Sequence, residues 1–283
     1  VLALACARNI VFVGDVQQLP NVLYSKNLQD SEAVWSRYSL PEIYHFSAHS
    51  LLSSAIATWP EAPTVLLREH YRCHPKIINF CNQKFYGGKL IVMTEDHEEP
   101  DVLTMYRTAP GNHARGHLNQ RQIDVIRQEV LPSLARQGYG SIGIITPYRD
   151  QVAAIQTQLG KDLEVATVHK FQGREKDAII LTSVDNVITD FVDDPRMLNV
   201  AVSRAVKSLT VITSQDPQND RTNYGDLARY IEYNNCAVIE SAVYSVFDLL
   251  YQGYAEQRRA FLKKHRRVSE YDSENLLYAV IQD

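Results

Sequence analysis

From Ile77 to Thr213 the chain alternates short apolar runs with longer stretches in which apolar residues recur at helical spacing. The apolar runs predict five buried strands, at Val102 to Arg107, Ser141 to Ile145, Glu164 to Val168, Ala178 to Val184 and Leu209 to Thr213. Amphipathic helices are predicted at Ile77 to Phe85, Ile123 to Leu134, Val152 to Leu159 and Leu198 to Ala205. Nearly continuous apolar strands that alternate with helices indicate an α/β fold, a parallel sheet with helices on both faces.

The first part of the chain has a different, more polar pattern. A short apolar run from Val11 to Val13 predicts one buried strand, and Ser50 to Trp59 predicts a helix. Pro60 and Pro63 then interrupt the chain, and a further strand is predicted at Thr64 to Leu67. The predicted units are therefore residues 1–60, residues 61–215 and a mainly helical extension over residues 216–283.

The extension has the weakest pattern. Helical spacing recurs from Tyr224 to Tyr233 and from Ala242 to Tyr251. Residues 253–268 contain six Lys or Arg residues against one Glu. Such a run is typical of a solvated helix face or a linker, and the alternative is a contact with nucleic acid or a partner. A connector to a downstream effector domain remains a further possibility for residues 242–283.

Composition narrows the class of protein without fixing it. The chain has 283 residues, 45% hydrophobic and 22% charged, and no apolar run approaches the length that spans a bilayer. We expect no membrane association. A net charge of -4 gives no overall attraction to nucleic acid, so such binding would need a local groove. Four cysteines without a CxxC pair fit reduced thiols in the cytoplasm, and the spacing around His70 and Cys73 predicts no metal site.

Polar side chains follow several of the predicted strands. In VFVGDVQQLP, Asp15 and Gln18 lie in the loop after the first strand, at the sheet edge where parallel α/β folds bind ligands. In the YRCHP stretch, Arg72 precedes a helix that begins at Pro75. Taken one at a time, an ordinary polar loop and a structural salt bridge explain these residues equally well.

Two later strands are also followed by polar residues. ITPYRDQ ends a strand and opens a helix, whose free N–H groups favour an anion, and Tyr148 is placed to stack on a base. Helix capping with a surface tyrosine is an equal alternative. VATVHKFQGREKD puts His169, Gly173 and Glu175 in one polar turn between two apolar strands. So many polar groups there favour a cleft.

One arginine, Arg204, lies in LNVAVSRAVKSLTVI between a helix and a strand. A guanidinium is hard to dehydrate for packing alone, which favours an anionic ligand near it. No GxxxxGK[ST] phosphate loop occurs in the sequence. Gly138, Gly140 and Gly143 spell GxGxxG, but they precede a strand instead of following one, so we interpret them as a turn.

Together these four stretches resemble the later motifs of superfamily 1 DNA and RNA helicases, in the branch of the nonsense-mediated-decay helicases with AAA-12 type domains. In that family GDxxQLP is motif III, YRxHP motif IV, TxHxFQGxEKD motif V and LNVAxSRA motif VI. The match covers about Val11 to Ser214. It implies a RecA-like P-loop NTPase fold for the second unit, and its character suggests a bacterial, DNA-directed protein.

The resemblance also implies roles for individual residues. Gln18, Arg72 and Arg204 would be catalytic, Gln18 as the sensor of the γ-phosphate and the arginines as fingers. The implied nucleotide contacts are Asp15, Gln18, Arg72, Gly173, Glu175 and Arg204. The implied contacts with a single strand of DNA or RNA are Thr146, Pro147, Tyr148, Thr167 and His169. ATP and Mg²⁺ are the implied cofactors.

The sequence departs from the family in two ways. Family members carry a lysine two residues after the motif VI arginine, where this chain has Val206 and then Lys207. Walker A, motif Ia and the Walker B acidic pair are absent, and in the family they precede motif III. We therefore expect a fragment that needs the preceding RecA-like domain for ATP and Mg²⁺, and that is inactive alone as an ATPase. The alternative is a non-catalytic nucleic-acid-binding or regulatory module with the same fold.

Overall fold

The computed structural model describes residues 7–20, 25–111 and 113–244, together with positions 260, 274, 275 and 278. The helix predicted at residues 242–251 and the basic segment 253–268 lie almost entirely outside these residues, as does Cys6. The other three cysteines are free thiols, and Cys73 and Cys81 are buried. No helix in the described part of the chain is long and apolar enough to cross a membrane.

A six-stranded sheet organises the described residues. All neighbouring strands are parallel, in the order β10-β3-β9-β8-β6-β7. Its strands are β3 (Leu103–Arg107), β6 (Ile142–Thr146), β7 (Glu164–Thr167), β8 (Lys176–Thr182), β9 (Ala205–Thr213) and β10 (Ala237–Glu240). The parallel sheet predicted from the apolar runs is confirmed. All five predicted strands are present within two residues of their predicted ends, except that β9 begins at Ala205, four residues before the predicted Leu209.

Helices cover both faces of this sheet. They are α3 (Pro75–Phe85), α4 (Gln120–Val125), α5 (Leu131–Gln137), α6 (Arg149–Leu159), α7 (Val168–Phe171), α8 (Pro195–Val202) and α9 (Asn223–Tyr233). Two earlier helices, α1 (Ser25–Tyr38) and α2 (Leu51–Thr58), precede the strands of the sheet in the chain. A π-helical turn, Ile126–Val130, joins α4 to α5. Side chains alternate along β8, so Ile179 and Leu181 pack with α3, α8 and α9, while Ala178 and Ile180 pack with α4, α5 and α6.

Short strands complete the fold beside the main sheet. β1 (Glu69–His70) pairs in parallel with β2 (Ile91–Val92), and β4 (Ala114–Arg115) forms a hairpin with β5 (Leu118–Asn119). His74 caps α3 by accepting a hydrogen bond from the backbone N–H of Lys76, and Pro75 takes the first helical position. The predicted start of this helix is confirmed.

Two predicted strands are wrong. Val11 and Val13 are 86% and 87% exposed and lie in an irregular segment, where a buried strand was expected. Val65, Leu66 and Leu67 are likewise exposed, and regular pairing begins at Glu69 and lasts two residues. A strand needs a hydrogen-bonded neighbour, and the described residues place none beside either segment. Apolar composition alone could not supply one.

The region after Ser214 also differs from the prediction. The helix predicted near Tyr224 is confirmed as α9, but it is followed by β10, which sequence analysis did not find. β10 pairs with β3 from Ala237 against Thr104 to Glu240 against Arg107. Ala237–Glu240 therefore add an unpredicted strand to the sheet, while the other regular elements described after residue 216 are helical. The predicted mainly helical extension over residues 216–283 stays a prediction. The strand is short and half exposed, so its pattern is weak.

Candidate nucleotide and nucleic-acid site

Arg204 lies between the end of α8 and the start of β9, as the sequence predicts. It is 4% exposed, because its side chain folds back over the helix end. Its Nε donates to the carbonyl of Val200 at 3.1 Å, and its Nη2 donates to Ser203 Oγ at 3.0 Å. Burial, followed by the charge of Arg72, holds the pKa of Arg204 below its usual value. The guanidinium is thus fixed in place before any ligand arrives.

Arg72 lies close to Arg204, in the turn between β1 and α3. Its Nη1 lies 3.3 Å from Oε2 of Glu175, which precedes β8. Its Nε is buried and has no hydrogen-bond partner among the residues that the structure describes. We call Arg72, Glu175 and Arg204 the arginine cluster. It sets two guanidiniums against one carboxylate, so it carries net positive charge and an unused donor, both of which fit a phosphate.

His70 lies close enough to the arginine cluster for its pKa to respond to the charges of the two arginines. Its Nε2 accepts a hydrogen bond from the backbone N–H of Cys73 at 3.0 Å. Burial, with the charges of Arg72 and Arg204, lowers the pKa of His70 to about 4. The ring is therefore neutral near pH 7, as its acceptor role requires. From the sequence, His70 was weighed only as a metal ligand and rejected, although it lies two residues before Arg72.

Residues 14–20, which we call the docked loop, contain the predicted Asp15 and Gln18. Gln18 Nε2 donates to Asp15 Oδ2 at 3.0 Å, and the same oxygen accepts from Tyr86 Oη at 2.6 Å. Asn199 Nδ2 donates to the carbonyl of Gln17 at 2.8 Å. The loop is thereby attached to the end of α3 and to α8. Tyr86 and Asn199 were not predicted as site residues.

The motif V turn holds the docked loop from another side. Gln172 Nε2 donates to the carbonyl of Leu19 at 3.3 Å. Gly173 has a φ of +81°, a left-handed conformation that favours glycine, and the chain then turns into β8. Phe171 is fully buried, and a Cβ on Gly143 would lie 2.6 Å from its Cζ. Gly143 therefore allows the turn to pack on β6, and the GxGxxG triplet is a structural feature as expected.

The predicted nucleic-acid residues gather at the ends of β6 and β7. The parallel register places Thr146 opposite Thr167, so both strand ends reach the same edge of the sheet. Thr146 is 0% exposed and Pro147 is also buried, which excludes contact of the Thr146 side chain with a strand in this conformation. Contact there would involve the backbone. Thr167 is nearly buried and His169 is half-buried.

Tyr148 has its ring already occupied by other rings. It stacks on His117 with centroids 4.2 Å apart and planes at 9°, and Phe191 lies 5.6 Å away at 28°. Its hydroxyl donates to Asp185 Oδ2 at 3.0 Å. The sequence suggested that Tyr148 is free to stack on a base. In the fold its ring is not free, because it already stacks on His117 and Phe191. The exposed rings of this stack are those of His117 and Phe191.

His169 differs in charge from the residues of the arginine cluster. Burial lowers its pKa, and the nearby charge of Asp194 opposes that shift only in part. His169 is therefore neutral near pH 7. Tyr148 also stays protonated, because burial raises its pKa. His169 and Tyr148 thus offer hydrogen bonds and ring surfaces without charge of their own, while the exposed Arg149 and Lys170 follow them in the chain.

The docked loop and arginine cluster do not form a Mg²⁺ site. Asp15 Oδ1 accepts from the backbone N–H of Gln17 at 2.8 Å, its Oδ2 accepts twice, and Glu175 pairs with Arg72. Elsewhere, His74, Asp96 and Glu99 bring potential metal-ligand atoms within 4.8 Å of one another. Lys76 Nζ lies 3.3 Å from Asp96, so this group is balanced as an ion-pair network.

A parallel sheet covered on both faces, with arginines and a polar loop at its edge, defines an open α/β domain of the class that binds ligands beyond the carboxyl ends of its strands. The family model of the AAA_12 family, described as an AAA domain, matches residues 47–216, more than half of the chain. The chain belongs to this family. Its domain is of the superfamily 1 helicase type. It resembles the domains of the nonsense-mediated-decay helicases.

Similar proteins agree with this family. Regulator of nonsense transcripts 1 of Dictyostelium discoideum is 30% identical over 245 residues, which are 75% of this chain and 17% of that protein. ATP-dependent helicase NAM7 of Saccharomyces cerevisiae is 29% identical over 82% of this chain and 25% of its own length. The 5'-3' DNA helicase ZGRF1 of Mus musculus is 27% identical over 79% of this chain and 12% of its own. The chain thus spans a quarter or less of these relatives.

Proposed function

We propose that the chain is the second motor domain of an ATP-dependent helicase or translocase that acts on single-stranded nucleic acid. The observation that carries this proposal is the arginine cluster, in which Arg72 and Arg204 face one carboxylate, Glu175. Partly dehydrated positive charge of this kind suits the phosphates of a nucleotide. The family and the names of the relatives support the same activity.

In the proposed reaction, Arg72 and Arg204 act as arginine fingers. The γ-phosphoryl group carries spread negative charge as it is transferred, and a finger that stabilises this charge is worth about 10³ or more in rate. The backbone contact of Arg204 with Val200 holds its guanidinium in advance, which avoids reorganisation during the reaction. Arg72 would exchange its ion pair with Glu175 for the phosphate.

The docked loop would report the state of the nucleotide through Gln18. Its amide nitrogen is directed at Asp15, which leaves the amide oxygen for water or phosphate-linked groups. Mg²⁺, which accompanies ATP in phosphoryl transfer, would require carboxylates other than Asp15 and Glu175, since both are engaged. We propose that a preceding RecA-like domain supplies them together with the phosphate loop.

The strand-binding side would be the edge at β6 and β7. Backbone groups near Thr146 and Pro147, together with Thr167 and His169, would contact a single strand without reading its sequence. The motif V turn begins at this edge and continues through Gly173 to Glu175 in the arginine cluster. One short segment therefore touches both proposed ligands, which is a physical basis for coupling hydrolysis to movement. We favour DNA over RNA as the substrate.

ATP hydrolysis by the intact protein tests this function. We expect hydrolysis to rise when single-stranded DNA is added, and to rise less with RNA of the same sequence. The 283-residue chain on its own should show no turnover under the same conditions, because its sequence contains no GxxxxGK[ST] loop. Absence of hydrolysis by the intact protein with either strand would overturn the function, and strand-stimulated turnover by the chain alone would overturn the need for a second domain.

A further inference from the structure

Tyr86 occupies the junction between three separate segments. It caps the C-terminal end of α3, and its hydroxyl lies between the docked loop and α8. The hydroxyl donates to Asp15 Oδ2 at 2.6 Å and accepts from Asn199 Nδ2 at 2.9 Å. A phenol has one proton to donate, so this donor is fully used by the carboxylate. A hydrogen bond to a charged acceptor at this distance is among the stronger ones in proteins.

Asn199 completes the connection from the side of Arg204. It is 1% exposed and lies on α8, and its Nδ2 donates both to Tyr86 Oη and to the carbonyl of Gln17. The Asn199 amide group is thus directed both at the docked loop and at Tyr86, which is itself bonded to the loop. Val200, the next residue on α8, is the one whose carbonyl accepts from Arg204 Nε. The loop with Gln18 and the anchor of Arg204 are therefore adjacent on one helix.

Few other contacts hold the docked loop among the residues that the structure describes. Leu19 is buried in the core, and Gly14 lies so close to Leu52 that a Cβ would meet its Cδ2 at 2.9 Å, while Val16 is 51% exposed and the preceding Val13 points to solvent. The hydrogen bonds that join the loop to the described part of the domain come from Gln172, Tyr86 and Asn199. Burial and the hydrogen bond to Asp15 raise the pKa of Tyr86 well above its usual value, so the hydroxyl keeps its proton near neutral pH.

We propose that Tyr86 is a positioning residue, which fixes the docked loop on α8 so that Gln18 and Arg204 keep one relative placement. Tyr86 is not among the residues proposed to bind the nucleotide or the strand, and it acts through Asp15 and Asn199. The proposal rests on the proposed function for its effect on hydrolysis. Its structural part, that the hydroxyl holds the loop, stands independently.

Tyr86→Phe tests the proposal because it keeps the ring and removes only the hydroxyl. Small misplacement of groups around a reacting centre costs up to about 10²-fold in rate. We expect kcat of the intact protein to fall by about 10-fold or more, with unchanged affinity for the single strand and little change in the KM for ATP. A residue that only supports the fold would not separate kcat from strand affinity.

Tyr230→Phe is the matched control. Tyr230 also packs against the core shared by α3 and α9, it is half-buried, and its hydroxyl donates to the carbonyl of Lys76 at 3.0 Å. Among the described residues, no hydrogen bond joins the Tyr230 hydroxyl to the docked loop. Both variants lose one partly buried hydroxyl. The loss in Tm should be larger for Tyr86→Phe, because its hydroxyl donates to a carboxylate, but Tyr230→Phe should leave kcat unchanged. Equal effects of the two variants on kcat would contradict the proposal.

A double-mutant cycle with Asp15→Asn examines the path of the effect. If Tyr86 acts through Asp15, the loss of kcat from Tyr86→Phe should be smaller in the Asp15→Asn background than in the wild type. Additive losses would mean that the hydroxyl acts elsewhere, and the proposed route through Asp15 would then be wrong.

Hydrogen exchange separates this proposal from the proposed function. The backbone amides of residues 14–19 should exchange faster in Tyr86→Phe and at the wild-type rate in Tyr230→Phe. This measurement needs no turnover, so it remains informative if the intact protein does not hydrolyse ATP. Unchanged exchange in Tyr86→Phe would overturn the positioning role, whatever the activity.

Discussion

The arginine cluster and the β6–β7 edge are built in opposite ways. At the edge, Thr146 and Thr167 are neighbours because two parallel strands pair in one register. In the cluster, Arg72 and Glu175 are 103 residues apart in sequence. They meet only because α3, which follows Arg72, packs on the sheet that contains β8, which follows Glu175. One region follows from local strand pairing, and the other requires the whole domain.

The two regions also differ in charge. The arginine cluster carries two cations against one carboxylate, whereas His169 and Tyr148 at the edge are neutral near pH 7. Charge in a partly buried place is suited to phosphate, and neutral groups with ring surfaces are suited to bases and sugars. The proposed division into a nucleotide side and a strand side therefore predicts different responses to mutation, salt and pH.

The largest effect is expected at Arg204. Arg204→Ala should lower strand-stimulated ATP hydrolysis by the intact protein by about 10³-fold or more, and strand affinity should be spared. Because Arg204 is buried, this change also leaves carbonyl groups unpaired, so Arg204→Lys, which keeps the charge but loses the planar fork, is the sharper variant. Turnover and strand affinity are measured together with Tm.

Arg107→Lys is the control for this pair of variants. Arg107 forms ion pairs with Glu232 and Glu240 at the β3–β10 edge, and its replacement should leave turnover unchanged. Retained hydrolysis in both Arg204 variants, at normal Tm, would remove Arg204 from the catalytic residues and weaken the contrast between the two regions.

A smaller effect is expected at His169. His169→Ala should weaken binding of a single strand by about 5- to 10-fold, the equivalent of about one hydrogen bond or stacking contact. Since the neutral ring releases no counterion, the slope of affinity against salt should not change. Binding is measured over a salt series. His97, an exposed histidine outside the edge, provides the control variant His97→Ala.

The result for His169→Ala distinguishes a charged contact with a phosphate from a neutral hydrogen bond or stacking contact. A salt slope that decreases by about one unit in His169→Ala would show a charged phosphate contact, contrary to the pKa direction. No loss of affinity at any salt would place the strand elsewhere than the β6–β7 edge.

The smallest effect concerns pH and His70. Its pKa is about 4 in the folded protein, below the ordinary value of 6.5. The unfolded chain therefore binds more protons between these values, and the contribution of this group to stability is lost as pH falls from about 6.5 to about 4. His70→Gln, which keeps a hydrogen-bond acceptor, should lose less Tm than the wild type over this range. Parallel Tm curves for the two proteins would contradict the assignment.

Much of the sheet was predictable because its strands are buried on both faces. Ala178 to Leu181 are fully buried, and such a run has a strong apolar signal. β10 was not predicted, because an edge strand buries less of its side chains and its apolar pattern is therefore weaker. Val11 and Val65 show the reverse error, since their apolar residues resemble strands but have no neighbouring strand in the described part of the chain.

The site was predictable only for residues that stand out by type. Arg72, Glu175 and Arg204 are charged residues beside apolar strands, and the fold brings them together. Their roles toward ATP remain predictions, as do those of Gln18 and Gly173. Tyr148 shows the limit of this approach, because a tyrosine in a loop looks free until His117 is seen against its ring.

The sequence by itself determined five of the six strands of the sheet, the motif residues and the family, because burial and unusual polar positions are recorded in residue type and spacing. Only the tertiary structure decided that Tyr86 and Asn199 hold the docked loop and that His70 is neutral. Their hydrogen bonds join residues 71, 113 and 182 positions apart. A tyrosine and an asparagine in helices are common, and nothing in their local pattern indicates a partner so distant along the chain.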